Sequence, residues 1–110
     1  MANPNRGKGI RWELKALSML RKIFPNVVTS RSESRAEDAK KIDLMNTGNF
    51  CFQCKNLKQI GKAPQFLSEI ETEEKIKVLA LKHNSYRGAK GELAILYFED
   101  FVNLLNLLKS

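Results

Sequence analysis

Two short apolar runs carry polar residues for which a plain buried strand has no use. They are Lys41-Ile42-Asp43-Leu44-Met45 and Phe50-Cys51-Phe52-Gln53-Cys54-Lys55. Side chains alternate faces along a strand. Phe50, Phe52 and Cys54 therefore share one face of the second run, and Cys51, Gln53 and Lys55 share the other. Asp43 stands between Ile42 and Leu44 and is expected to point away from both. The intervening Asn46-Thr47-Gly48-Asn49 has the composition of a turn. A hairpin folded there brings Asp43 beside Gln53 and Lys55. A carboxylate, an amide oxygen and an ammonium gathered in one place suit metal-assisted hydrolysis of a phosphodiester.

A fourth polar residue sits where an apolar one is expected. From about Gly9 to Phe24 the pattern is helical, with Ile10, Glu13, Leu17, Leu20 and Phe24 recurring at steps of three and four. Glu13 thus lies on the apolar stripe. Burying a carboxylate alone is costly, so it is expected to be paired or bound to metal. Its neighbour Trp12 is expected to pack. Residues 1–8 are polar and contain Pro4 and Gly7. They read as a flexible basic arm, with Arg6 and Lys8 available to phosphate, ahead of one domain over residues 9–110.

The remaining elements follow in order. Pro25-Asn26 stops the helix, and Val27-Val28-Thr29 is a short β-branched strand. Ser30 to Lys41 has no large apolar residue and reads as an exposed loop or frayed helical turn. Arg31, Arg35, Lys40 and Lys41 make it basic. Glu37 and Asp38 are rival metal ligands there, ranked below Asp43 because a loop holds ligands less firmly than a strand. Lys58 and Lys62 follow the hairpin, and Ala63-Pro64-Gln65 opens a short helix with proline in its first turn. Lys75 to Lys82 alternates and then turns wholly apolar, as a central strand does. A turn over residues 85–91 carries Tyr86 and Arg87. Glu92 to Phe98 reads as the last strand, and Glu99 to Leu108 as a helix with Phe101, Leu104, Leu105 and Leu108 on one face. His83, the single histidine, ends a strand without partners for a zinc site or a general base. These elements predict an α/β domain with a mixed central β-sheet flanked by helices.

Charge distribution fits an anionic partner. The 110 residues carry a net charge of +7, concentrated in residues 1–41 and 75–110, whereas residues 42–74, which hold the polar strand residues, are net acidic. Basic flanks bind phosphates by releasing counterions, and an acidic centre suits a cation. No apolar run approaches the roughly 18 residues of a membrane span, and no signal-peptide core opens the chain. A cytoplasmic location is expected, in the host cytoplasm for a phage-encoded chain. Cys51 and Cys54 face opposite ways along one strand and cannot easily bridge.

The pattern of Asp43 followed by Gln53-Cys54-Lys55 resembles the PD-(D/E)XK nuclease superfamily, whose motif is an Asp, a gap, then acid-x-Lys. Gly9-Ile10-Arg11-Trp12-Glu13, opening a basic helix, is similar to the start of archaeal-type Holliday junction resolvases, which carry a metal-site Glu there. The likeness spans roughly residues 6 to 108. It implies a restriction-endonuclease-like fold and a Mg²⁺- or Mn²⁺-dependent endonuclease resolving four-way DNA junctions in recombination and repair. Asp43, Glu13 and the side chain of Gln53 would be metal ligands, joined by the backbone carbonyl of Cys54. Lys55 would activate the water or stabilise charge on phosphate. A serine of the 30–41 segment, Ser30 or Ser32, would assist near the scissile phosphate. Gln53 stands where the motif has an acid, so one negative charge is missing and weaker metal binding is expected. Phosphate contacts are expected from Arg6, Lys8, Arg11, Arg31, Arg35, Lys40, Lys41, Lys58 and Lys62. A single small site cutting two strands symmetrically calls for a homodimer. Two alternatives stand beside this reading. One is a nuclease of the same fold acting on other DNA by restriction, nicking or end processing. The other is a non-catalytic nucleic-acid-binding protein with a decayed site.

Overall fold

The computed structural model describes residues 4–83 and 91–109, with side chains from Gly7 onward. Tyr86, Arg87 and the turn that carries them lie outside the described residues. Five strands form one mixed sheet in the order β1-β2-β3-β4-β5. They are β1 (Val28–Thr29), β2 (Leu44–Met45), β3 (Phe50–Leu57), β4 (Ile76–His83) and β5 (Glu92–Ile95). Only the central pair, β3 and β4, is parallel; the other pairs are antiparallel. A parallel pair needs a crossover connection, and helix α4 (Ala63–Glu69) supplies it, after a 3₁₀ turn over Ile60–Lys62.

Helix α1 (Pro4–Leu20) covers one face of the sheet. It begins earlier than the apolar pattern predicts and takes in much of the expected flexible arm. Proline suits a first helical turn because its missing N–H would have no partner there. Trp12 and Ala16 pack on Ala80 and Cys54, while Leu17 packs with Val27 and Leu44. The Trp12 indole Nε1 also donates to the Ala80 carbonyl at 2.9 Å, which pins the helix to β4. On the opposite face, Ala63, Leu67 and Ile70 pack on Ile42, Cys51, Leu79 and Leu81. Along β3, Cys54 and Phe52 serve the α1 side and Cys51 the α4 side, as strand alternation predicts.

Residues 30–39 are more ordered than their composition suggests. They form two short helices, α2 (Ser30–Glu33) and α3 (Arg35–Ala39), the helical-turn alternative rather than a plain loop. Ser34 Oγ accepts the N–H of Glu37 at 3.2 Å and caps α3. The sequence signal was the Ser34-x-x-Glu37 spacing of a capping box, which acts without any large apolar residue. At the far side, the N–H of His83 donates to the Gly91 carbonyl at 2.7 Å. A Cβ on Gly91 would lie 1.9 Å from the His83 oxygen, so only glycine fits. Helix α5 (Phe98–Lys109) ends the described chain.

Candidate active site

Asp43 stands where two strands part. β2 pairs with β3 through Leu44 and Phe52. The N–H of Asp43 extends that ladder to the Phe52 carbonyl at 2.7 Å. The next donor along β3, the N–H of Cys54, is taken by Asp43 Oδ2, also at 2.7 Å. A side chain thus finishes a ladder that the main chain has left. Lys41, with φ 63°, turns the chain just before this point. Ile42 and Leu44 consequently enter cores on opposite faces of the sheet, so strict alternation does not hold around Asp43. In a strand, a residue's N–H and C=O point to the same edge. The Cys54 carbonyl is therefore directed to the edge where Asp43 lies.

Glu13 reaches this corner from α1. Successive helical residues are about 100° apart, and Trp12 is fixed on β4. That turns Glu13, only 8% exposed, toward the parting strands. An open cleft of about 370 Å³ is lined by Glu13, Asp38, Asp43, Arg31, Lys55 and Asn56, among others. Glu13 Oε2 lies 3.4 Å from Arg31 Nε. Lys55 Nζ sits 4.6 Å from the centre of the Phe66 ring, a cation–π contact that steadies the ammonium.

The electrostatics of the cleft are those of carboxylates held close together. Burial raises the pKa of Glu13, as does the Asp43 charge, against the lowering effect of Arg31. Burial likewise raises that of Asp43, opposed by the Cys54 N–H and by Lys55. Asp38 raises both, which places this α3 residue in the same field. Helix α3 gives Asp38 a firmer position than a plain loop would. Glu37, the other rival ligand, lines a separate cavity with Lys40. The Cys54 thiol is pushed up strongly by burial and by Asp43 and Glu13, so it stays protonated.

Gln53 is 2% exposed, and its Oε1 has no hydrogen-bond partner. Asp43 bonds to the residues on either side of it. Gln53 does not itself line the open cleft. An unsatisfied buried carbonyl costs about 1–3 kcal/mol, and a cation or water is what relieves such a cost. Ser30 is also buried, with an unpartnered Oγ, and its N–H donates to the Asp43 carbonyl at 2.9 Å. The Ser32 hydroxyl is engaged by Thr29. Neither serine lines the cleft.

A second groove of about 300 Å³ adjoins the first, and Asn56 lines both. Lys8, Arg11, Lys15 and Lys82 surround it. Lys15 and Lys82 both pair with Glu92, which holds that carboxyl below its usual range. The strand pattern around Lys82 carries no sign that it shares a groove with α1. Arg35, Lys41, Lys58 and Lys62 are exposed but line neither groove. Lys40 pairs with Glu37. Arg6 lies in the first turns of α1.

Among the described residues, no three His, Cys, Asp or Glu side chains come together as a ready metal site. The available donors are the buried Glu13, the half-buried Asp43, Asp38 and the oxygens of Gln53 and Cys54. Hard oxygen donors of this kind suit Mg²⁺ or Mn²⁺ rather than zinc. No protein-family model matches the chain, and no curated protein or solved structure does. Among the described residues, no helix is long and apolar enough to cross a membrane.

Proposed function

We infer that this chain is a metal-dependent DNA endonuclease of restriction-endonuclease-like fold, selective for four-way junctions and acting as a homodimer in the cytoplasm. One observation carries the reading. Glu13 of α1, Asp43 just before β2 and Lys55 of β3 line a single open cleft. Burial raises the pKa of both carboxylates, and the Asp43 charge adds to the rise at Glu13; titratable groups perturbed in this way cluster in functional clefts.

We propose a divalent cation as the cofactor, on the oxygen character of the donors around the cleft. Asp43, Glu13, the Gln53 amide oxygen and the Cys54 carbonyl would hold it, with Asp38 as a further ligand. When bound, it would supply charge neutralisation and a more acidic water. The protein's own groups do the rest. Lys55, braced on Phe66, is positioned to orient the attacking water or stabilise charge on the phosphate. Arg31, partly exposed and paired with Glu13, can exchange that partner for a phosphate oxygen. The Lys8, Arg11, Lys15 and Lys82 groove continues the positive track beyond Asn56, so a strand lying in the cleft has a path along α1. Such contacts are salt-dependent and indifferent to sequence, as recognition by shape requires. A four-way junction has two strands to cut, which calls for two copies of the site.

The test is cleavage of a labelled four-way junction beside matched linear duplex and single strand, with Mg²⁺ or Mn²⁺. EDTA and Lys55→Ala serve as controls. Paired nicks in the junction alone, lost in both controls, are expected. Cutting of duplex or single strand instead keeps the active site and changes the substrate. Binding without cutting would leave a nucleic-acid-binding protein in which Gln53 marks lost catalysis.

A further inference from the structure

Among the described residues that line the basic groove beside the cleft, Glu92 is the one carboxylate. Its place on β5 sets it directly opposite Lys82 of β4, and that cross-strand pair closes at 3.1 Å. Lys15 joins from α1, 77 residues away in the chain. A cross-strand pair has no need of this third group. Both ammoniums converge on one oxygen atom, Glu92 Oε2. Lysines hold a phosphate oxygen in the same way, as point charges. Lys8 and Arg11 line the same groove, so one carboxylate faces four cations. Lys15 is exposed, and Lys82 and Glu92 are half-buried. Exposed ion pairs contribute little to stability, and the β4–β5 ladder from Leu79–Ile95 to Lys82–Glu92 already joins these strands. The fold therefore has little need of the triple arrangement.

We propose that Glu92 stands in for a backbone phosphate of DNA: it ties up Lys15 and Lys82 in the free protein, and a bound strand displaces it. This rests on the endonuclease reading above and deepens it, by naming the residue that sets how tightly the groove takes a strand. Asn56 lines both the groove and the cleft, so a strand with one phosphate in the cleft brings another to the groove. An extended groove shared with the cleft suits a chain of phosphates better than a single free one. Glu92 keeps its charge at neutral pH, because Lys15 and Lys82 hold its carboxyl below the usual range. Once displaced it stays close by and repels the phosphate that replaced it, since like charges set together lower affinity. Glu92 thus acts as a brake on strand binding, felt through the two lysines. It touches no reacting atom and is not a catalytic residue. Arg31, paired with Glu13 in the cleft, is open to the same exchange.

The test is fluorescence anisotropy of a labelled four-way junction with the full chain, in EDTA so that nothing is cut, from about 50 to 200 mM NaCl. Glu92→Gln keeps the size of the side chain and removes its charge. It is expected to bind about five- to tenfold tighter than wild type at low salt, with a slope of log affinity against log salt steeper by about one. Glu74→Gln removes the same charge from the separate cavity that holds Glu37 and Lys40. It is expected to stay within about twofold of wild type, because salt screens a charge away from the groove. Lys82→Ala is expected to lower affinity further in the Glu92→Gln background than in wild type, as coupled residues do. Wild-type affinity in Glu92→Gln overturns the proposal, and so do equal gains from Glu92→Gln and Glu74→Gln, which would reduce the effect to net charge. Equal losses from Lys82→Ala in both backgrounds overturn displacement from that lysine. Inorganic phosphate at matched ionic strength is expected to compete no better than chloride; a block by millimolar phosphate would make the occupant a free phosphate and overturn the strand. A wild type that binds junction, duplex and single strand alike not at all overturns the DNA reading, and this inference with it. None of these outcomes bears on whether the cleft cuts DNA, which the junction assay reads separately.

Discussion

The corner between α1 and β3 and the helix α5 are opposite exceptions to one rule. At the corner, Glu13, Gln53 and Ser30 are polar and buried. On α5, phenylalanines and leucines are apolar and exposed. Each arrangement costs stability in the isolated chain, and a suitable ligand would lower each cost. Cations or water relieve buried oxygens; a partner surface relieves exposed apolar groups. Places where local rules fail in a folded protein are where function concentrates. The two regions differ in what they need. The corner needs charge and geometry within a few ångströms, so rigid elements build it. The helix needs area, so one amphipathic element is enough.

The largest expected effect breaks the corner chemically. Asp43→Asn and Lys55→Ala are each expected to lower junction cutting by a factor of about 10³ or more, the scale for losing a group that acts on the transition state. Binding of the uncut junction, measured by gel shift, should stay within severalfold. Normal cutting by Asp43→Asn would show that the site lies elsewhere.

Next is the cost of the corner in the metal-free state. Glu13 and Asp43 have folded pKa values raised above the ordinary 4.5 and 3.8. A group raised in this way contributes stability fully below its unfolded pKa, and that contribution is lost as pH climbs through the folded value. Without divalent ions, the melting temperature is therefore expected to rise as pH falls from neutrality toward these raised values. Asp43→Asn keeps an acceptor for the Cys54 N–H, so it should melt higher than wild type at pH 7 and flatten this pH dependence. Added Mg²⁺ should raise the melting temperature of wild type more than that of the variant. A variant that melts lower than wild type at pH 7 would mean the carboxylate stabilises the fold.

Gln53 sharpens the same comparison. Gln53→Glu restores the missing charge in a 2% exposed position. It is expected to tighten Mg²⁺ binding by calorimetry about tenfold and to destabilise the metal-free protein, because a buried like charge is added near Asp43. Unchanged affinity would remove Gln53 from the ligand set.

The smallest effect lies away from both regions. Gly7 is helical, and a Cβ there meets nothing within 4 Å. Gly7→Ala is expected to add about 0.5–1 kcal/mol to unfolding stability without changing cutting or self-association. A loss of stability in urea unfolding would show that α1 does not hold its first turns in solution.

Much of this protein was legible from local pattern. Alternation around Cys51 and Phe52, the period of α1, proline opening α4 and the apolar run of β4 each follow from side-chain geometry acting over a few residues. Glu13, Asp43 and Lys55 were legible as polar groups in apolar company. What the sequence did not determine depends on contacts between distant residues. Asp38 and Lys82 reach the clefts only because α3 is capped at Ser34 and β4 lies beside α1. The turn at Lys41 sends Ile42 and Leu44 to opposite faces, which no periodicity foretold. Gln53 was marked by its type, yet only tertiary packing left its oxygen buried and unpaired. The apolar stripe of α5 was equally plain, and the sequence left open whether it would bury in its own core. Tertiary structure decided that, because the sheet's two faces are covered by α1 and α4 and α5 turns its stripe to solvent.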